Sequence, residues 1–174
     1  MKMGKNVTIY DRAKICYPEN LTIGNNVIID DFVFIVAKPW AKIGNYVHIA
    51  SFVSITGGGI FIMGDYSGIA TGSRILTGTD DISTLLGPTV PVQYRKPRRT
   101  YVEIGKHVLI SANCVILPSV TIPDGVVIGA NSLVLENAEL QPWTVYVGSP
   151  VRALKERPRE RILELQAALE RDLG

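Results

Sequence analysis

A large aliphatic residue recurs every six positions through most of this chain, and that interval limits the possible folds more than any other feature. Met3, Ile9 and Ile15 are followed by Ile23, Ile29 and Ile35, by Ile43, Ile49 and Ile55, and by Met63, Ile69 and Ile75, in groups that start 20 residues apart. After an interruption the beat returns as Ile104, Ile110, Ile116, Ile122, Ile128 and Val134. Four positions after most of these stands a smaller residue, such as Val27, Val33, Ser67, Ser73, Val108 or Cys114. A period of six is neither helical nor that of one continuous strand. It suits a chain that makes a short strand, turns a corner and repeats, with three hexads closing one triangular coil. Stacking the coils at the ~4.8 Å spacing of paired strands places each aliphatic residue over its counterpart. The core is then filled by aliphatic columns. The 20-residue period is three hexads plus two residues at one corner, and the last six hexads make two coils of 18 without the extra pair. Leucine-rich, ankyrin and tetratricopeptide repeats have no internal six. The expectation is an all-β parallel β-helix.

Composition narrows the class further. The chain has 174 residues and a formal net charge of +2, so nothing demands nucleic acid or a membrane surface as partner. No apolar run approaches the ~20 residues that span a bilayer, and "MKMGKNVTIYDRAKI" has no unbroken apolar core of a signal peptide. Cys16 and Cys114 form neither a disulfide framework nor a CxxC metal motif. The expectation is a soluble, cytoplasmic protein without a bound metal.

"IGNNVIID", "VIGANSLV" and "VYVGSPVRALK", with the corner glycines, make the chain similar to the hexapeptide-repeat acyltransferases over nearly its whole length. Its nearest branch resembles the galactoside, maltose and nodulation-type acetyltransferases and the sugar-modifying enzymes of bacterial polysaccharide synthesis. The resemblance implies a left-handed parallel β-helix of about six coils over residues 1–152, with loop 76–103 protruding and a helical tail at 153–174. It also implies a homotrimer whose clefts between neighbouring prisms bring acetyl-coenzyme A and a sugar together. The loop itself is long enough to suggest function. Pro88, Pro91 and Pro97 stiffen it, and Leu85, Leu86, Val90, Val92 and Tyr94 give it apolar surface to lay on a neighbour.

Relatives of the galactoside type carry a catalytic histidine five residues past the last hexad before this loop. Here that count falls on Asp80, and alignment on the preceding "TG" falls on Thr79, so the histidine is absent either way. Asp80 and Asp81 are candidates in its place, because two neighbouring carboxylates can raise one pKa into a useful range, or can hold an ammonium group. His48 is a third candidate, on the outward column Thr8, Ile28, His48, Gly68, Leu109 and Val127; it could act as a base or bind a hydroxyl or phosphate. His107 falls at a corner and reads as a solvated turn residue. The resemblance gives the amide of Ser111 or Ala112 to the developing oxyanion. It gives Gly129 and Ala130 to the pantetheine arm and Arg152 and Lys155 to the cofactor phosphate. The family's lysine after Gly129 is replaced by Leu135-Glu136. "YRKPRR" (94–99) is a further phosphate candidate. Gly57, Gly58 and Gly59 read as a tight corner. The tail reads as a helix from about Pro158, with Ile162, Leu165, Leu169 and Leu173 in a stripe that covers the open end of the prism or a neighbour.

Carboxylates in the histidine slot favour an amine as acceptor, since an amine that has lost its proton attacks a thioester readily. The expected function is acetyl-CoA-dependent N-acetylation of a nucleotide-linked aminosugar for surface polysaccharide. O-acetylation of a sugar is the alternative. A non-catalytic hexapeptide scaffold and a γ-type carbonic anhydrase, which needs three histidines on zinc, rank lower.

Overall fold

The computed structural model describes residues 1–81, 83 and 86–173, the last of these by its backbone. Its three faces are parallel sheets, each built from one strand per coil. The first face stacks Lys2–Met3, Leu21–Ile23, Ala41–Ile43, Ile60–Met63, Tyr101–Ile104 and Val120–Ile122. The second stacks Val7–Ile9, Val27–Ile29, His48–Ile49, Gly68–Ile69, Leu109–Ile110, Val127–Ile128 and Thr144–Val147, and ends on the antiparallel strand Arg152–Glu156. The third stacks Lys14–Cys16, Phe34–Val36, Ser54–Thr56, Arg74–Leu76, Val115–Ile116 and Leu133–Val134. Six coils are complete and Thr144–Val147 begins a seventh.

The register follows the hexads. Met3, Ile23, Ile43, Met63, Ile104 and Ile122 are successive partners on the first face. Ile15, Ile35, Ile55, Ile75, Ile116 and Val134 are partners on the third. From Ile23 onward these residues are buried, and the smaller members, from Val27 to Val126, fill between them. Period-six burial thus fixes every rung at once, because a slip of one residue would turn a whole column out to water. Buried Ser67 and Ser73 are satisfied across coils: Ser67 donates to the Gly105 carbonyl at 2.9 Å and accepts from the Val108 amide at 3.0 Å. Ser73 donates to Ser111 O at 2.9 Å. At the other end of the stack, Met3 is exposed and Val7, Ile9 and Ile15 are only half-buried.

The corner between the first and second faces is held by two ladders. In one, carboxamides and a carboxylate cap amides of the preceding coil: Asn45 Oδ1 accepts from Asn25 N at 2.8 Å and Asp65 Oδ1 from Asn45 N at 2.7 Å. In the other, Tyr46 stacks on Tyr66 and Tyr66 on His107, each at 5.1 Å between ring centroids, and Trp143 tilts onto His107 at 5.8 Å. His107 is therefore no solvated turn residue. It is 8% exposed, and its Nε2 meets Gln166 Oε1 at 2.7 Å.

Gln166 belongs to the helix, Glu160–Leu173, and this contact shows where the helix goes. It runs back along the corner, with Arg157 before it donating to the carbonyl oxygens of His107 and Gly125 and Glu170 accepting from Tyr66. It caps neither end of the prism. The expected stripe is split: Leu165 and Leu169 are exposed, whereas Ile162 is half-buried on the solenoid side with Gln166. The aromatic corner offers ring faces and hydrogen-bonding groups, which a mixed helix face matches better than a purely apolar one. The tail expected from residue 153 also begins as strand rather than helix, paired to the second face through residue 156.

Burial tends to raise the Asp65 carboxyl, but the Asn45 amide, the Lys106 ammonium and the Asn45 side chain outweigh it and hold the pKa below its ordinary value. A carboxyl depressed in the folded state stabilises above its unfolded pKa and loses that contribution as pH falls through the folded one. Asp65→Asn is accordingly expected to be less stable than the parent near neutrality by about 1 kcal/mol. The gap should close as pH drops below the usual carboxylate range. Urea midpoints measured from pH 7 to pH 3 test this, and a gap that stays constant over that range would refute it.

Candidate active site

The loop leaves the solenoid at Thr77 and returns at Thr100, a little inside the expected 76–103, because residues 76 and 101 still belong to coil strands. Its two ends are bonded to each other, Thr100 N to Thr77 O at 2.9 Å, and Thr77 N is held by Thr56 O at 2.7 Å. The three glycines are the seat of this root and more than a tight corner. A Cβ on Gly59 would overlap the carbonyl oxygens of Thr77 and Thr100, and one on Gly57 would overlap the Gly78 amide. Above the root, Gly78–Asp80 and Pro97–Arg99 pair as an antiparallel ribbon, with Asp80 opposite Pro97.

Asp80 is only 17% exposed and both of its oxygens face Arg95 Nη2, at 3.2 and 3.1 Å, with Arg99 Nη2 farther off at 3.9 Å. Arg98 makes a two-point contact with Glu136, at 2.5 and 2.7 Å, which ties the ribbon to the sixth coil. The three arginines of "YRKPRR" are thus paired, two toward Asp80 in the loop and one to Glu136 on the solenoid, and Lys96 faces the cleft. Asp81 Oδ1 accepts from Ser83 N at 2.9 Å and Ser83 Oγ at 2.6 Å, as aspartate does in turns. Asp80 and Asp81 share a cleft of about 590 Å³ with Thr79, Lys96, Pro97, Arg98 and Glu136. Of the loop's apolar residues, Leu86, Val92 and Tyr94 are exposed, Val90 is half-buried, and Leu85 lies outside the described residues.

A second site lies on another face. The outward column runs as expected, Thr8 to Ile28 to His48 to Gly68 to Leu109 to Val127. Gly68, Ala50 and Ala70 form a low floor between His48 at one end and Leu109 and Ser111 at the other, a groove of about 370 Å³. His48 Nε2 stands 3.0 Å from Asp30 Oδ2. A carboxylate can only accept, so Nε2 carries the hydrogen and Nδ1 remains for another partner. The two nitrogens proposed for an oxyanion differ: the Ser111 amide is spent on Ile128 O at 2.9 Å, whereas no acceptor among the described residues takes the Ala112 amide. The same holds one coil on, where Gly129 N donates to Tyr146 O and the Ala130 amide has no such bond. Two unbonded amides thus stack at one corner, beside small side chains, as an extended amide-bearing arm would require. Arg152 and Lys155 lie on the last strand of the same face, opposite Val147 and Val145, both exposed.

The candidate residues therefore fall into two groups on one chain, each a candidate half-site. The ribbon cleft gathers Asp80 and Asp81; the second face gathers His48 and Ser111, with Ala112, Gly129, Ala130, Arg152 and Lys155 further along it. Sequence reasoning missed the partners Arg95 and Asp30. Asp30 was within reach, because it stands two residues past Ile28, the stacked neighbour of His48. Arg95 was not, since its contact depends on how the ribbon folds. The two histidines stand apart, one in the groove and one in the aromatic ladder.

Solenoid and half-sites together define a hexapeptide-repeat transferase, and the model of the bacterial hexapeptide transferases (six repeats) matches residues 101–136, the stretch where the beat runs without extra corner residues. The chain is 37% identical over 168 residues to a dTDP-4-amino-4,6-dideoxy-D-glucose acyltransferase of Escherichia coli, covering 95% of this chain and 86% of that one. It belongs to that family of sugar acyltransferases. The crystal structure of AntD, an N-acyltransferase from Bacillus cereus, as a variant in complex with dTDP-4-amino-4,6-dideoxyglucose and coenzyme A, superposes with a TM-score of 0.90 at 40% identity over 98% of this chain and 90% of that one. A maltose O-acetyltransferase from Clostridium difficile shares the fold at a TM-score of 0.62 and 24% identity, over 90% of this chain and 70% of that one.

The clamp on Asp80 makes a prediction about the ribbon. Arg95→Leu should lower stability by about 2 kcal/mol, by leaving a largely buried carboxylate without its nearest cation. It should also speed amide exchange in 78–80 and 98–99 while the coil amides stay protected. Unchanged exchange in the ribbon would mean that its strand pairing alone holds it.

Proposed function

We propose that this protein transfers an acyl group from coenzyme A to the amino group of a nucleotide-linked aminosugar. The observation that carries the reading is the absence of a histidine at the ribbon, where Asp80 and Asp81 stand instead, in a chain whose whole length follows N-acyltransferases of this acceptor class. An ammonium needs a carboxylate to hold it and a group to take its proton. Asp80, with both oxygens facing Arg95, is assigned the shape of the ribbon, and Asp81, beside it on the same cleft, is assigned the proton. The cofactor supplies an activated acyl thioester. Ala112 and Ala130 offer amides to it, Ala112 toward the carbonyl oxygen on which negative charge develops, and Arg152 and Lys155 offer charge to its phosphates.

Because the two half-sites occupy different faces of one chain, the reading includes a homotrimer in which the ribbon of one subunit meets the groove of the next. The exposed Leu86, Val92 and Tyr94 would lie in that contact. A cytoplasmic role in surface polysaccharide synthesis completes it. Supporting this, the chain is 30% identical over 156 residues to a putative colanic acid biosynthesis acetyltransferase, WcaF, of Escherichia coli K12, covering 90% of this chain and 69% of that one. O-acylation is the second reading, favoured by one feature, the His48–Asp30 pair, which leaves Nδ1 able to accept a hydroxyl proton.

Release of coenzyme A thiol, measured with acetyl- and longer acyl-CoA against dTDP-linked 4-aminosugars and plain sugars, separates the two. The nucleotide-linked amines are expected to turn over. Asp81→Asn should cut kcat by about 10²- to 10⁴-fold, while His48→Asn leaves transfer to the amine within a few-fold. Turnover only on hydroxyl acceptors, abolished by His48→Asn, would give the second reading instead, and no turnover on either class would return the chain to a scaffold.

A further inference from the structure

Two ladders of stacked side chains run up corners of the prism, and each is interrupted by one glycine. At the first corner the ladder Tyr46, Tyr66, His107 reaches Gly125, and the next residue of the column, Trp143, fills the space. A Cβ on Gly125 would overlap its indole ring, which reaches back to His107. At the corner between the second and third faces the ladder is Arg12, Phe32, Phe52. The Arg12 guanidinium covers Phe32 at 5.4 Å from the ring centroid, and Phe32 and Phe52 stack at 5.1 Å with their planes 4° apart. The next residue of this column is Gly72. No ring follows it: the column continues with Asn113, whose Oδ1 is what a Cβ on Gly72 would meet. Phe52 is 55% exposed, and among the described residues no ring stacks on its upper face, a gap in the ladder of rings bordered only by the Asn113 carboxamide that reaches back to Gly72.

A cation stands beside that gap. Arg74 Nη1 donates to the carbonyl oxygens of Phe52 and Gly72, at 2.5 and 3.0 Å, so the guanidinium is fixed at the corner by the backbone of the two residues that frame the gap. No carboxylate among the described residues pairs with it, and its Nε and Nη2 hydrogens have no partner there. An open aromatic face with an uncommitted guanidinium at its edge is suited to a planar ring that carries phosphates. The place also fits the reaction. Gly72 follows Thr71, one coil below Ala112, and the groove residues Ala50, Ala70 and Ser111 lead directly to this corner.

We infer that the uncovered face of Phe52 is the nucleobase subsite of the acceptor: the base of a nucleoside diphosphate takes the place of the ring that Gly72 lacks, stacked on Phe52, with Arg74 on its phosphates. This rests on the proposed acceptor class. The adenine of coenzyme A has the same chemistry, so both nucleotides enter the test.

Binding of dTDP, thymidine and coenzyme A is measured by calorimetry on the full chain. Phe52→Leu, which keeps apolar bulk, should weaken dTDP about 5- to 100-fold and leave coenzyme A affinity unchanged. Gly72→Phe should complete the ladder and exclude dTDP while the protein stays folded. Phe32 and Phe52 already occupy the equivalent corner positions at φ of 63° and 64°, close to the 74° of Gly72, and the Asn113 side chain can swing away. Arg74→Gln should weaken dTDP more than thymidine. Unchanged dTDP affinity in Phe52→Leu overturns the subsite, and does so whether or not Gly72→Phe folds. Loss of coenzyme A affinity in place of dTDP affinity gives the gap to the cofactor's adenine, and a changed oligomeric mass makes Phe52 an interface residue; either overturns the assignment. If the parent acylates dTDP-linked aminosugars while these variants bind dTDP normally, only the subsite falls. If the parent neither binds dTDP nor acylates such sugars, the acceptor reading falls and the subsite with it.

Discussion

Everything in this molecule depends on coils lying in register on one another. Each buried aliphatic residue is covered by its counterpart from the coil before and the coil after, and the same stacking brings the backbone ladders into line. Burial and hydrogen bonding therefore cannot be varied independently: a coil of the wrong length would break both at once. The consequence is a prism stiff along its axis, in which an outward side chain can be located by counting. His48, Gly68 and Leu109 share a column because Ile49, Ile69 and Ile110 share the one beside it.

That dependence explains what could be read from the amino-acid order and what could not. The columns, the outward position of His48, the extra corner residues and the protruding loop all follow from a period of six and short-range geometry. The ribbon within the loop, the Asp80–Arg95 clamp and the Arg98–Glu136 tie do not, because the loop has no period and its contacts are set by three-dimensional closure. His107 was misread for a related reason. Counting places it at a corner, and corners usually face water, but a helix more than 50 residues later in the chain returns to cover this one. Within this chain most of the apolar stripe on that helix points away from the surface it packs against, so amphipathicity did not locate that surface.

The candidate residues divide between the loop and the second face, and the division has a physical logic. Amides that bind an extended cofactor arm need a rigid backbone with one free N–H per coil, which the corner at Ala112 and Ala130 provides. Carboxylates that meet an acceptor need to be brought to it from outside the prism, which only a chain leaving the solenoid can do. The arginines of the loop help hold that excursion in shape, Arg95 and Arg99 toward Asp80 and Arg98 toward Glu136, while Lys96 lines the cleft beside them.

The root of the loop has a consequence of its own. Thr77 and Thr100 are bonded to each other, and Gly57 and Gly59 beneath them meet backbone alone. Beyond Gly78, which has no room for a Cβ against the Gly57 carbonyl, and Arg98, which reaches Glu136, the solenoid asks little of the residues between those two threonines. The junction works as a socket: segments of quite different length and chemistry could be exchanged there while the coils keep their register. A fold of this kind could change the acceptor it serves by replacing one insert, without renegotiating its core.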